Sequence, residues 1–210
     1  MSVITYTSGT SGQPKGVIYS HKSSNAIIDH YVAHYTFSKE NDNLVEFLAW
    51  WHLAGFVNCF YSLYNGYTTT CVNFENYLNA VRYYKPVYIF VVPKVCNIIF
   101  ERIKRYISLM ETFNKFNLML LLKCSKYIPF LYKFFGNNYS KRLKQYIFGT
   151  SNPIIMSCSA KINPEVVKFL NLLGIEYWDL YGLTEGGPIT GGNDKHNRIN
   201  SAGKAFGDND

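Results

Sequence analysis

Read for its alternation of apolar and polar positions, the chain breaks into short apolar runs joined by polar, glycine-bearing turns, with amphipathic stretches between them. Val3–Thr7 and Val17–Tyr19 read as short strands on either side of one such turn. A helical stretch follows from about Ser23 to Tyr35, with Ser23 or Ser24 as its N-cap. Asn43–Ala49 reads as a buried strand. His52–Tyr64 reads as an apolar helix that stops at Asn65-Gly66, a good C-terminal signal. Tyr67–Asn73 is β-branched and strand-like, Asn76–Tyr84 is helical, and Val87–Val92 is a continuous apolar strand closed by Pro93. Pro93–Leu109 has helical spacing with a basic face, and Lys115–Phe135 is a second, more apolar helix. Ile154–Ser157 is a short strand. Asn163-Pro164-Glu165 then supplies an N-cap, a first-turn proline and a first-turn acid for a helix that runs to Leu173 and stops at Gly174. Ile175–Leu180 is the last strand, and "YGLTEGGP" turns away from its carboxyl end.

Strands and helices alternate, which predicts an α/β fold with mixed or parallel sheets flanked by helices. Ligands of such sheets sit beyond the carboxyl ends of the strands. Two polar, glycine-rich turns follow strands here, the one after Val3–Thr7 and "YGLTEGGP", so one ligand could touch both. The composition adds that a core is affordable: 48% of the 210 residues are hydrophobic and 17% aromatic, which excludes global disorder.

Charge changes the picture in one place only. Eleven of the 21 Lys and Arg fall between Lys94 and Lys144, against Glu101 and Glu111, and the rest of the chain is slightly acidic. A positive charge so localised does not make the chain a nucleic-acid binder by composition. Cys59, Cys71, Cys96, Cys124 and Cys158 lack the close spacing of a zinc site or redox dithiol, as expected of reduced thiols in an intracellular protein. Met1 is followed at once by a strand-like run rather than a secretory pattern. The chain closes on a turn at Gly207-Asp208-Asn209-Asp210, and both ends read as cut from something longer.

The densest chemistry is "YTSGTSGQPKG", Tyr6–Gly16. Gly9, Gly12 and Gly16 let backbone N–H groups converge into an anion-binding nest. Thr7, Ser8, Thr10 and Ser11 add hydroxyl donors, and Lys15 adds a mobile positive charge. A polyphosphate satisfies all of these together. The Gly-Lys-Ser/Thr of the ordinary phosphate loop is absent, so this is a different device. A solvated turn is the plainer alternative, against which Pro14, Lys15 and the flanking strands argue.

This stretch resembles the phosphate-binding signature of the adenylate-forming superfamily of acyl-CoA synthetases, luciferases and peptide-synthetase adenylation domains. "YGLTEGG", Tyr181–Gly187, resembles a second signature of that superfamily, in the same order. Between them, "FLAWWHLAG" is similar to the segment around an active-site histidine, here His52. "MSCSAKINPEVVKFL" resembles the adenine-side turn and its helix, and "KPVYIFVVPKV" a segment of long-chain acyl-CoA synthetases. The resemblance implies residues 1–210 to be part of the large N-terminal domain of the adenylate-forming fold, without its C-terminal lid domain.

The resemblance further implies a reaction. A carboxylate attacks the α-phosphorus of ATP, expelling pyrophosphate, and a thiol such as coenzyme A displaces AMP to give a thioester. Bringing an anion to an anion makes charge neutralisation the largest need. Thr7, Ser8, Gly9, Thr10, Ser11, Gly12 and Lys15 would hold the β- and γ-phosphates. Thr184 would contact the α-phosphate, and Glu185 would hold Mg2+. Tyr181 and Gly182 would lie on the adenine face, with Ser159, Ala160 and Lys161 along its edge. His52 would position the carboxylate and phosphates rather than take a proton, since the acid is already ionised. A histidine that opens an apolar helix is also often a plain cap, and both readings of His52 stand at this point.

The chain departs from the pattern at Ala49-Trp50-Trp51, where a proline and a non-aromatic residue are usual. It departs again at Cys158 and Lys161, where glycine and proline are usual. The ribose-binding aspartate and a C-terminal lysine of the family lie beyond residue 210, so residues 1–210 alone are expected to be inactive. The implied partners are a long-chain fatty acid, ATP and coenzyme A, with no nucleic acid. Adenylation of an aryl or amino acid, or nucleotide binding without chemistry, are the alternatives. Lys115–Phe135 suits a peripheral helix on an anionic membrane surface, and equally a helix packed on the sheet with its lysines reaching water. The expected location is therefore cytoplasmic or peripheral on an intracellular membrane.

Overall fold

The computed structural model of the chain describes residues 2–7, 13–35, 37, 42–110, 116, 137–193 and 201–206. The tip of the opening turn, residues 8–12, and the helix expected over Lys115–Phe135 fall outside them, apart from residue 116. The first pair of strands is an antiparallel hairpin, β1 (Val3–Thr7) and β2 (Lys15–Tyr19), with Thr7 opposite Lys15 at the loop end and Val3 opposite Tyr19 at the other. Helix α1 (His21–His34) starts earlier than its sequence suggests. Ser20 is the cap: its side chain accepts from the Ser23 N–H, and the Ser23 hydroxyl accepts from the Ser20 N–H in return. A serine in place of the usual Glu or Gln at the third helical position disguises this capping box.

Strand β3 (Asn43–Glu46) lies parallel to β4 (Thr68–Cys71), and α2 (Leu53–Asn65) connects them. Gly66 ends α2 in the left-handed region at φ 70°, as its position after Asn65 predicts. Helix α3 (Tyr77–Tyr84), strand β5 (Ile89–Val91) and helix α4 (Pro93–Ser108) follow. After α5 (Asn137–Phe148) come β6 (Ile154–Ser157), α6 (Pro164–Leu172), β7 (Glu176–Leu183), β8 (Gly187–Gly191) and β9 (Lys204–Ala205). The main sheet has the order β5-β6-β7-β8-β9, with β5, β6 and β7 parallel and β8 and β9 antiparallel to their neighbours. This is the mixed α/β architecture expected.

Alternate residues of the parallel strands feed opposite faces. Ile89, Val91, Ile155 and Tyr177 join a cluster with α3, α4, α5 and α6, while Phe90, Met156, Trp178 and Leu180 join one with α1 and α2. Helices thus cover both faces, which is why these strands read as continuous apolar runs. The last strand corrects the sequence reading. It does not end at Leu180 but runs through Tyr181-Gly182-Leu183, pairing back onto β8, so the turn proper is Thr184–Gly186.

Candidate functional site

A cleft of about 220 Å3 opens beyond the carboxyl ends of β5, β6 and β7, where the parallel arrangement predicts a ligand. Phe90 and Leu180 supply apolar wall, and Cys158 and Ser159 follow β6. Tyr181 lies near the end of β7 with Thr184 just after it, and α2 with its cap contributes Asn58 and His52. The amino-terminal turn of α2 faces this space, since His52, Leu53 and Ala54 all line it. The positive end of the helix dipole favours an anion there.

His52 caps α2 and lines the cleft at once. Its Nδ1 accepts from the Ala54 N–H at 3.3 Å, so a neutral ring carries its proton on Nε2, which is left as a donor. The two readings of His52 are therefore compatible. The loop that delivers it is held from behind by Glu46, at the end of β3. One carboxylate oxygen accepts the N–H groups of Phe47 (2.9 Å) and Leu48 (2.7 Å), and the other accepts Asn58 Nδ2 at 2.8 Å. Asn58 Oδ1 in turn accepts the Tyr88 hydroxyl at 3.0 Å. Burial pushes the Glu46 carboxyl above its ordinary value, against the pull of these three bonds.

The second signature turn is tied to the end of the β1–β2 hairpin away from its loop. The Tyr19 hydroxyl, at the end of β2, donates to the backbone oxygen of Thr184, and Ile27 of α1 packs at Gly187. Burial, and then the charge of Glu185, raises the Tyr19 phenol above its usual range. Thr7 and exposed Lys15 sit opposite each other where the hairpin opens into its loop. Ser8, Gly9, Thr10, Ser11 and Gly12 lie outside the described residues.

Of the residues singled out by sequence, His52, Ser159, Tyr181, Gly182 and Thr184 line one cleft. Glu185 stands beside Thr184 on the same turn, exposed. Thr7, Lys15, Ala160 and Lys161 are not part of the lining; Lys161 is exposed, and its charge offsets part of the burial that raises the Asp179 carboxyl. Ser159 adopts φ 81°, a left-handed conformation that favours glycine. Among the described residues no three His, Cys, Asp or Glu side chains gather to hold a metal by themselves. A lone exposed carboxylate such as Glu185 does suit Mg2+, which takes one or two carboxylates and completes its shell with phosphate oxygens and water. Sequence reasoning missed Glu46, Asn58, Tyr88 and Tyr19. A glutamate inside the apolar run Leu44-Val45-Glu46-Phe47-Leu48 was the signal for the first of these.

Comparison with known proteins identifies the family of the chain. The family described as AMP-binding enzyme matches residues 1–210. The chloroplastic long-chain-fatty-acid–[acyl-carrier-protein] ligase of Arabidopsis thaliana is 30% identical over 131 residues, covering 59% of this chain and 17% of the relative. The adenylation domain of a carboxylate reductase from Mycobacterium chelonae superposes with a TM-score of 0.68 at 23% identity, covering 90% of this chain and 27% of that one. O-succinylbenzoate coenzyme A synthetase from Bacillus subtilis, solved with AMP, superposes with a TM-score of 0.66 at 17% identity, covering 97% and 35%. These two structures share the fold. The chain spans between about a sixth and about a third of the length of the three proteins.

Proposed function

Because the chain belongs to the AMP-binding enzyme family, we propose that the protein of which it forms part activates a long-chain fatty acid as its adenylate. The fatty acid carboxylate attacks the α-phosphorus of ATP, the bond to the β-phosphate oxygen breaks, and pyrophosphate leaves with its electron pair. The thiol of coenzyme A then attacks the acyl carbon, AMP leaves, and a thioester and a proton remain. A long-chain acid is favoured by the Arabidopsis relative, whose name gives that substrate, and by the likeness of "KPVYIFVVPKV" to long-chain synthetases.

The observation that carries the reading is the meeting of His52, Ser159, Tyr181 and Thr184 in one cleft under the amino terminus of α2. At about 220 Å3 the cleft is smaller than the roughly 300–1,000 Å3 of a drug-sized ligand site. Its described walls therefore suit the reacting end, the carboxylate and α-phosphate, rather than a whole acyl chain. His52 Nε2–H and the positive end of the α2 dipole hold the approaching anions in register and lower their mutual repulsion. Tyr181 and Ser159 hold the base, Thr184 the α-phosphate, and Lys15 with the residues of its loop the outgoing phosphates. Glu185 would hold Mg2+, whose charge would offset that of the phosphates.

The test is fatty-acid-dependent exchange of labelled pyrophosphate into ATP by the complete protein. His52→Asn retains an N-capping side chain and removes the Nε2 donor. We expect the variant to fold as stably as the parent and to exchange about a hundredfold more slowly, the usual loss for one such donor. Unchanged exchange would remove His52 from the chemistry. Exchange supported by no fatty acid would overturn the substrate assignment.

A further inference from the structure

Away from the cleft, the helices on the other face of the main sheet carry a charge pattern that adenylation does not use. Helix α4 buries Val95, Cys96, Ile99, Ile103 and Ile107, a stripe at helical spacing. Its opposite stripe runs Lys94, Ile98, Arg102, Arg105, Leu109, and a shallow basin of about 420 Å3, lined also by Asn97 and Glu101, lies along it. The adjoining exposed positions of α3 and α5 add Arg82, Lys141 and Arg142. The three helices contain one acid, Glu101, and it is paired with Lys104 at 3.0 Å. The surface is basic and almost without countercharge.

It is also apolar at one end. Leu109 and Tyr83 are each 77% exposed. The carboxyl ends of α3, α4 and α5 meet there: Arg82 lies 4.9 Å over the ring of Tyr146, and Tyr106 packs against the same ring at 4.8 Å. Residues 111–136 continue the composition in sequence, with Lys115, Lys123, Lys126 and Lys133 among leucines, phenylalanines and isoleucine.

We propose that this face, built on the outer stripe of α4 with Arg82, Lys141 and Arg142, docks on an anionic membrane surface. Cations with uncompensated charge are drawn to acidic headgroups, and an exposed leucine has a favourable place to go in the acyl boundary beneath. Single-stranded nucleic acid is the weaker fit, because bases need open aromatic faces to stack on. Here Tyr106 and Tyr146 spend theirs on each other and on Arg82, and exposed Tyr83 packs edge-on with Tyr84 at 4.9 Å, so no row of open rings is presented among the described residues. Among the described residues no helix is long and apolar enough to cross a membrane. The inference stands apart from the adenylation reading and can fail or hold without it.

The test is co-sedimentation with vesicles of phosphatidylcholine alone or of phosphatidylcholine with phosphatidylserine, at low and high salt. The protein is expected to pellet with the anionic vesicles only and to be released by salt. Arg102→Glu with Arg105→Glu should weaken that binding about tenfold or more, with the thermal melt unchanged because both side chains are exposed. Leu109→Ser, which keeps every charge, should weaken it several-fold. Equal binding to neutral vesicles, no binding to either, or full binding by the double variant would each overturn the proposal. So would retention on a single-stranded RNA that displaces the vesicles.

Discussion

Glu46 is a carboxylate with 1% of its surface exposed, at the end of β3 after the buried Leu44 and Val45. Its cost is offset by three donors, two from the backbone that leads to His52 and one from Asn58 in the cleft wall. Glu46→Leu would leave all three without an acceptor and should destabilise the fold by about 3 kcal/mol. Glu46→Gln should cost much less. Its oxygen can still accept the Phe47 and Leu48 N–H groups, the Asn58 amide can turn over, and the Tyr88 hydroxyl can accept instead of donate. The pH dependence of the two proteins should differ as well. An acid held above its ordinary 4.5 by burial keeps its proton longer in the folded state. Stability should therefore fall as pH rises from about that value toward the raised one, and level off above it. Urea unfolding over this pH range should show that slope in the parent and not in Glu46→Gln; identical slopes would refute the assignment.

Among the elements, α2 matters most to the site, and it is pressed against the loop that precedes it. A Cβ added at Gly55 would come 2.5 Å from the backbone oxygen of Ala49. Gly55→Ala must therefore move either the helix or the Leu48–Trp51 loop. We expect a loss of about 2 kcal/mol together with weakened ATP binding, measured by unfolding and titration calorimetry on the same preparation. A stable variant with intact binding would mean that the loop gives way freely. The start of α2 at His52, its stop at Gly66, the strand Ile154–Ser157 and the cap at Asn163 were all legible, because each depends on local chemistry. Helix α5 was not. Two of its inward positions are Ser140, bonded to the Leu173 oxygen, and Lys144, bonded to the Gly174 oxygen at 3.1 Å, so the apolar period is interrupted. The extension of β7 past Leu180 was hidden for a related reason: it depends on pairing with β8, a partner supplied by tertiary structure. In the site, motif residues could be found by spacing, whereas Glu46, Asn58 and Tyr88 meet only once β3, α2 and the approach to β5 have packed.

At the scale of the molecule, the main sheet separates two kinds of surface. Helices α1 and α2 cover the face whose strand ends form the cleft, and α3, α4 and α5 on the other face carry the basic layer. Both are electropositive devices, one a helix terminus with fixed donors and the other a field of mobile side chains, so a polyanion such as ATP has two places to go. Photolabelling with an azide-substituted ATP in the presence of Mg2+, followed by peptide mapping, distinguishes them directly. Saturable labelling confined to peptides containing Ser159 and Tyr181, and displaced by unlabelled ATP, is the predicted result. Labelling on α4 around Arg102 and Arg105, or labelling that excess ATP does not displace, would contradict it.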